Sequence, residues 1–200
     1  IARQARAFDA DVIALTTHGS GGLRGFLFGR IAQQVLQEAE RPTLVARAGQ
    51  RRTAPLRAPA PPQRLLVPLD GAPASEQVLP LAWNLAQCLT AHVTLARIVP
   101  TLDRLSLSES APAVFLPTAT AALLDLERRH AAEDLQRLAA SAPASLAVTT
   151  VVRQGDVIEE LARLAQQADL AVMTTHGRAG LAGWLAGSVA ARLLERVTIP

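Results

Sequence analysis

Thr174-Thr175-His176-Gly177-Arg178-Ala179-Gly180-Leu181-Ala182-Gly183-Trp184-Leu185-Ala186-Gly187-Ser188 is the stretch whose reading decides the fold. A short apolar run at 170–174 precedes it, and a helical spacing of apolar residues follows at 188–196. Its opening, Thr174-Thr175-His176-Gly177, repeats Thr16-Thr17-His18-Gly19 at an offset of 158. With that offset held, 12 of 27 positions in 16–42 and 174–200 are identical, without a gap. Such self-similarity marks two copies of one unit. Residues 1–47 then form the back half of a first copy, and 64–200 form most of a second. Between them, 48–63 carries Pro55, Pro59, Pro61 and Pro62, which favour an extended linker. Copy 1 runs on into a short strand at 43–47, whereas copy 2 stops at Pro200, where its equivalent would begin. The chain also opens on Ile1 rather than Met, so the natural protein is expected to extend at both ends.

Outward from the loop, the second copy reads as alternating elements. Strands are expected at 65–69, 93–99, 146–152 and 170–174, from short apolar runs rich in Leu and Val. Helices are expected at 75–89, 119–140, 157–168 and 188–196. Pro80 blurs the start of the first, and Leu123, Leu124, Leu135 and Leu138 mark the inward face of the second. This β-α order predicts an α/β fold, an open doubly wound parallel sheet with helices on both faces. Ligands of such sheets bind beyond the strand carboxyl ends, where strand order reverses. Asp70-Gly71 and Thr175-His176-Gly177 follow the first and fourth strands, at that end.

The loop suits an anion. Its glycines permit positive φ and close backbone approach. Ser188 stands at a helix start, where a hydroxyl and unpaired N–H groups attract phosphate. No Gly-Lys-Ser/Thr is present, and no GxGxxG follows the first strand, so neither a Walker loop nor a dinucleotide fingerprint fits. The same residues also suit a tight loop with a helix cap. Asp70 suits either a cap on the first helix or a ligand contact, and His176 either a structural or a contacting role. Arg178 reads as a solvated charge or a phosphate contact, and Cys88 as inert packing.

Thr174-x2-Gly177-x9-Gly187-Ser188 resembles the nucleotide-binding pattern of the universal stress protein family, with Thr174 in place of the first Gly. Pro68-Leu69-Asp70 resembles that family's opening Pro-x-Asp, and Gly155-Asp156 its Gly after the third strand. The resemblance implies a Rossmann-like fold of the universal stress protein type, in tandem, with the first copy only partial. It implies binding of ATP or AMP by Pro68, Leu69, Asp70, Ile98, Met173, Thr174, His176, Gly177, Gly187, Ser188 and Val189. Asp70 would lie near the ribose and phosphates or reach Mg²⁺, and the Ile98 backbone would meet adenine. In copy 1, Arg30 stands where Ser188 stands in copy 2, and no nucleotide site is expected there. A homodimer, or a pseudo-dimer of the two copies within one chain, is implied as well. Enzymatic activity is expected to be weak ATP hydrolysis at most, since phosphoryl transfer needs a positioned base or charge clamp and the loop offers only His176 and Arg178. A non-nucleotide-binding interaction module of the same fold is the alternative.

Composition narrows the rest. Half of the residues are hydrophobic and only 3% aromatic, so the core must be built from Leu, Val, Ile and Ala. All basic residues are Arg, but the net charge is only +3 and no basic stripe with aromatics occurs, so nucleic acid is not an expected partner. A single Cys and four scattered His give no disulfide framework and no zinc spacing. No apolar run approaches the roughly 20 residues of a membrane span, and a cytoplasmic location is expected.

Overall fold

The computed structural model describes residues 1–17, 30–47, 63–101, 117–174 and 189–200. The chain divides into two compact units, Ile1–Pro59 with Val197–Pro200, and Ala60–Arg196. In the first unit, α1 (Ala2–Ala7), β1 (Ile13–Thr17), α2 (Arg30–Glu38) and β2 (Thr43–Arg47) follow in turn. β1 and β2 pair in parallel, with Ile13 opposite Thr43. Ile13, Ala32, Val35 and Val45 are buried there.

The second unit holds β3 (Arg64–Pro68), α3 (Pro73–Glu76), α4 (Leu79–Leu89), β4 (His92–Val99), α5 (Pro117–Ala140), β5 (Val148–Gln154), α6 (Val157–Ala165), β6 (Leu170–Ala171) and α7 (Val189–Arg196). Its strands are all parallel, in the order β5-β4-β3-β6. The chain therefore steps outward from β3 through β4 to β5, then returns to the other side of β3. That is the open, doubly wound α/β sheet read from the sequence.

Side-chain alternation along the strands splits the core into two layers. Leu65, Val67, Val93 and Leu95 face one way, and pack with Leu79, Ala82, Trp83 and Ala86 of α4 and Leu135 and Leu138 of α5. Leu66 and Ala96 have the opposite parity, toward the side that carries α6, whose Ile158, Leu161 and Ala165 are buried. Covered on both faces, β3 buries its last four residues, which is why it reads as an unbroken apolar run.

Several boundaries differ from the sequence reading, each for a physical reason. The helix expected at 75–89 comes as two pieces, α3 and α4. Pro80 has no N–H for the carbonyl of Glu76, so the helical ladder stops and restarts with Pro80 in the first turn of α4. Leu135 and Leu138 are buried as expected, but Leu123 is 51% exposed and Leu124 only half-buried. A helix as long as α5 runs about 36 Å, against about 26 Å for a strand as long as β4, so one end outreaches the sheet. β5 begins and ends two residues later than expected, because the backbone N–H of Leu146 is used in a turn to the Pro143 carbonyl at 2.9 Å. α6 ends at Ala165 rather than Ala168, where Gln167 and Ala168 donate to carbonyls three residues back in a tightened turn.

Candidate functional site

The reversal of strand order lies between β3 and β6, and the backbone there explains why their pairing ends early. Asp169 N–H donates to the Arg64 carbonyl and Val172 N–H to the Leu66 carbonyl, each at 2.8 Å. Even-numbered residues of β3 thus turn their polar groups toward β6. The next donor in that row would be Pro68, which has none. Pairing stops there, and β6 spans only Leu170–Ala171 instead of the 170–174 expected from the sequence. Met173 and Thr174, both half-buried, continue past the last pair.

On the other side of β3 the ladder runs further. Leu69, buried at 5% exposure, donates its N–H to the Ala96 carbonyl at 2.8 Å. Ala96 thus turns its backbone toward β3, and strand alternation turns Ile98 the same way. Pro68 pairs with Ala96, so Ile98 lies two residues beyond the last paired residue of β3. Its backbone groups face the space above that strand's end.

Asp70 follows directly. Its carboxylate Oδ1 accepts the Ala72 N–H at 2.9 Å, and its own N–H lies 3.4 Å from the Ser75 hydroxyl. That hydroxyl donates to the Ala72 carbonyl at 2.8 Å, which satisfies the one buried polar side chain among the described residues. Asp70 does not stand at the cap of the first helix, for the N-cap of α3 is Ala72, whose own side chain makes no capping bond. Asp70 instead holds the turn ahead of the helix, exposed at the carboxyl end of β3. Gly71 within that turn has φ +80°, which only glycine adopts at no steric cost.

At the end of β5, Gly155 takes φ +149° and donates its N–H to the Val99 carbonyl at 3.1 Å. Asp156 then caps α6, accepting the N–H groups of Ile158 at 3.0 Å and Glu159 at 3.1 Å.

Of the expected site residues, Pro68, Leu69, Asp70 and Ile98 lie at the carboxyl ends of β3 and β4. Met173 and Thr174 lie just beyond β6. Val189 is the first residue of α7 and is exposed. His176, Gly177, Gly187 and Ser188 lie outside the described residues, as does Arg178. In the first unit, Thr16 is exposed on β1 and Arg30 opens α2.

Sequence reading missed two contributors. Ser75 was only the start of a helix, yet it ties the Asp70 turn together. Arg97 was only a strand residue. Its guanidinium lies against Gly71 and donates from Nη1 to Asp134 Oδ2 of α5 at 2.9 Å, with its side chain 15% exposed. A charge between Ala96 and Ile98, within a central strand, was the signal available for it.

Among the described residues there is no group of three or more His, Cys, Asp or Glu side chains able to hold a metal. No described helix is long and apolar enough to cross a membrane. In the first unit, a hollow of about 190 Å³ is lined by Ala2, Arg6, Ile13, Glu38, Glu40 and Arg41. It lies at the amino-terminal ends of β1 and β2, and exposed ion pairs of Arg6 with Glu40 and Arg41 with Asp9 already balance its charges. Fold logic places ligands at the opposite strand ends, and that consideration outweighs the hollow.

The universal stress protein family model matches residues 1–47 and 62–200. Among solved structures, universal stress protein UspA from Lactobacillus plantarum is 23% identical, with a TM-score of 0.55, covering 70% of this chain and 95% of its own. A universal stress protein from Archaeoglobus fulgidus DSM 4304 aligns over 98% of this chain and 62% of its own, at 14% identity and a TM-score of 0.58. A protein of universal stress type from Pseudomonas aeruginosa UCBPP-PA14 aligns over 99% and 64%, at 17% identity and a TM-score of 0.66. At such identities these structures speak for the fold alone, whereas the family model matches nearly the whole sequence: the chain belongs to the universal stress protein family.

Proposed function

We propose that this universal stress protein binds an adenine nucleotide, ATP or AMP, in the β3–β6 crevice, and acts as a stress-response or signalling module whose state follows occupancy. The observation that carries this is the early end of the β3–β6 ladder before Pro68, with Asp70 just past the end of β3 and Thr174 just past the end of β6. From Thr174 the chain enters the Gly177–Gly187–Ser188 spacing and returns as α7. The residues fit such a ligand. The Ile98 backbone faces the end of β3 and would supply the hydrogen-bonding edge that adenine needs. Asp70 has one carboxylate oxygen in its turn and the other directed to no partner among the described residues. It would serve the ribose, or a Mg²⁺ that takes its remaining ligands from phosphates and water. Backbone amides at Gly177 and Gly187 and the Ser188 hydroxyl would take the phosphates. The protein would form a homodimer with a second chain, or its two copies, 1–47 and 64–200 with 48–63 between them, a pseudo-dimer within one chain.

The test is extraction and thermal shift. The purified protein is denatured and its released small molecules are separated by ion exchange. Near-stoichiometric ATP or AMP is expected. Ligand at 100 times its Kd adds about 2.7 kcal/mol to the native state, a rise in Tm of several degrees. An empty extract with no shift at millimolar ATP and Mg²⁺ refutes nucleotide binding. One observation favours an interaction module without nucleotide, namely the half-buried Thr174 side chain where the family pattern has glycine. Thr174→Gly separates the two readings, for binding gained only in that variant means the side chain blocks the crevice.

A further inference from the structure

We propose that Arg97 is the positioning residue of the Asp70 turn, and that through it nucleotide binding at this crevice depends on a strap of charges running across α5 to α3. This rests on the nucleotide reading above, which says what the turn holds; the present inference concerns what holds the turn.

Three observations carry it. A Cβ on Gly71 would stand 2.5 Å from the Arg97 Cζ, 2.6 Å from Nη2 and 2.7 Å from Nη1. The three distances are nearly equal, so the guanidinium presents its face to the side of Gly71 where a Cβ would stand, and backs the turn there. The guanidinium is itself anchored, with Asp134 taking Nη1 at 2.9 Å in a charge-assisted bond. The anchor continues outward. Asp134 lies 3.9 Å from Arg137, and Arg137 donates to Glu76 of α3 at 3.1 Å. The helix that follows the Asp70 turn and the strand beneath it are thus both tied to α5. Only the Arg97–Asp134 link is shielded enough to matter much, since Arg137 is 59% exposed.

The chemistry favours arginine at this place. A flat, delocalised cation can press a face on backbone while its edge donates to a carboxylate, and lysine has no such face. Its charge, one residue from Asp70, also lowers the electrostatic cost of bringing a phosphate near that carboxylate. A binding group must be held close to its productive geometry by its supporting contacts, and Arg97 is that support for Asp70.

The experiment uses Arg97→Gln, Asp134→Asn and Arg97→Lys in the full chain, with the exposed Arg129→Gln as control. Exchange of the Ala72 amide, whose N–H is bonded to Asp70, is read by NMR beside that of Leu95 in the core of β4. ATP affinity is read by calorimetry. Loss of a charge-assisted bond predicts Ala72 exchange faster by about tenfold in Arg97→Gln, with Leu95 faster by no more than about two- to fivefold and ATP binding about tenfold weaker. Asp134→Asn should move both readings the same way by less, and Arg97→Lys should recover part of the loss. The proposal is overturned if folded Arg97→Gln and Asp134→Asn keep wild-type Ala72 exchange and ATP affinity. It is equally overturned if Leu95 exchange rises as much as that of Ala72, for Arg97 would then be general scaffolding. A wild-type protein that binds no ATP refutes the nucleotide reading instead, and Ala72 exchange alone then decides whether Arg97 holds the turn.

Discussion

Replacing Gly71 by alanine should destabilise the second unit through two separable effects. The first is backbone strain, since φ is +80° and a Cβ in the left-handed region costs roughly 1–2 kcal/mol. The second is collision, since the new Cβ would stand 2.5 Å from the Arg97 Cζ, far inside contact distance. The guanidinium must move, and its bond to Asp134 lengthens or breaks. Because Asp134 is 48% exposed, water replaces part of what is lost, so this contribution is about 0.5–1 kcal/mol rather than the full value of a buried pair. Together they come to about 2 kcal/mol. For a domain of this size that lowers Tm by roughly 4–8 °C. Thermal unfolding followed by circular dichroism reads the change. The same substitution in an Arg97→Ala background should cost about 0.5–1 kcal/mol less, because only the backbone part remains. A Tm within about 1 °C of wild type would refute the strain reasoning. Equal costs in the two backgrounds would refute the collision.

Thr90 closes α4 in the left-handed conformation, at φ 51° and ψ 45°, where a β-branched residue is strained. Thr90→Gly should therefore raise stability by about 0.5–1 kcal/mol, seen as a higher urea midpoint. Leu95 is fully buried in β4 between α4 and α5, and Leu95→Ala should cost about 2–5 kcal/mol, read from the same urea curves at unchanged slope. Asp156→Ala removes the cap on α6 and should cost about 1 kcal/mol, with faster amide exchange at Ile158 and Glu159 first of all. Asp156→Asn should keep most of that stability, because its side-chain oxygen still accepts.

Much of the fold was legible because its elements are governed by local pattern. The run at 65–69 is apolar throughout, since a strand covered on both faces has no solvent side to mark, and 93–99 departs from that only at Thr94 and Arg97. Their spacing from the helical segments demanded parallel pairing. Pro80 announced trouble in the first helix, but not that the helix would part into α3 and α4, which depends on how Ser75 and Asp70 build the turn before it. Leu123 looked as inward as Leu135. Helical spacing records which face a residue occupies, not how far along that face the sheet extends. For the candidate site, Pro68-Leu69-Asp70 and Ile98 were visible through their resemblance to the family's motif and second strand. Arg97 and Ser75 were not, because their importance lies in contacts with residues distant in sequence or in a turn whose shape was unknown.

By itself, the sequence determined the α/β class and which strand ends carry polar and glycine-rich residues. Each of these follows from periodicity or spacing, which are properties of neighbours along the chain. Tertiary structure alone decided the order β5-β4-β3-β6, the early end of β6, the role of Asp70 as holder of its own turn and the seat of Arg97 beneath Gly71. Those outcomes depend on which backbone groups find partners across strands. A proline without an N–H or a glycine without a Cβ acts there through the neighbour it fails to bond or allows to approach, and that neighbour is known only once the chain has folded.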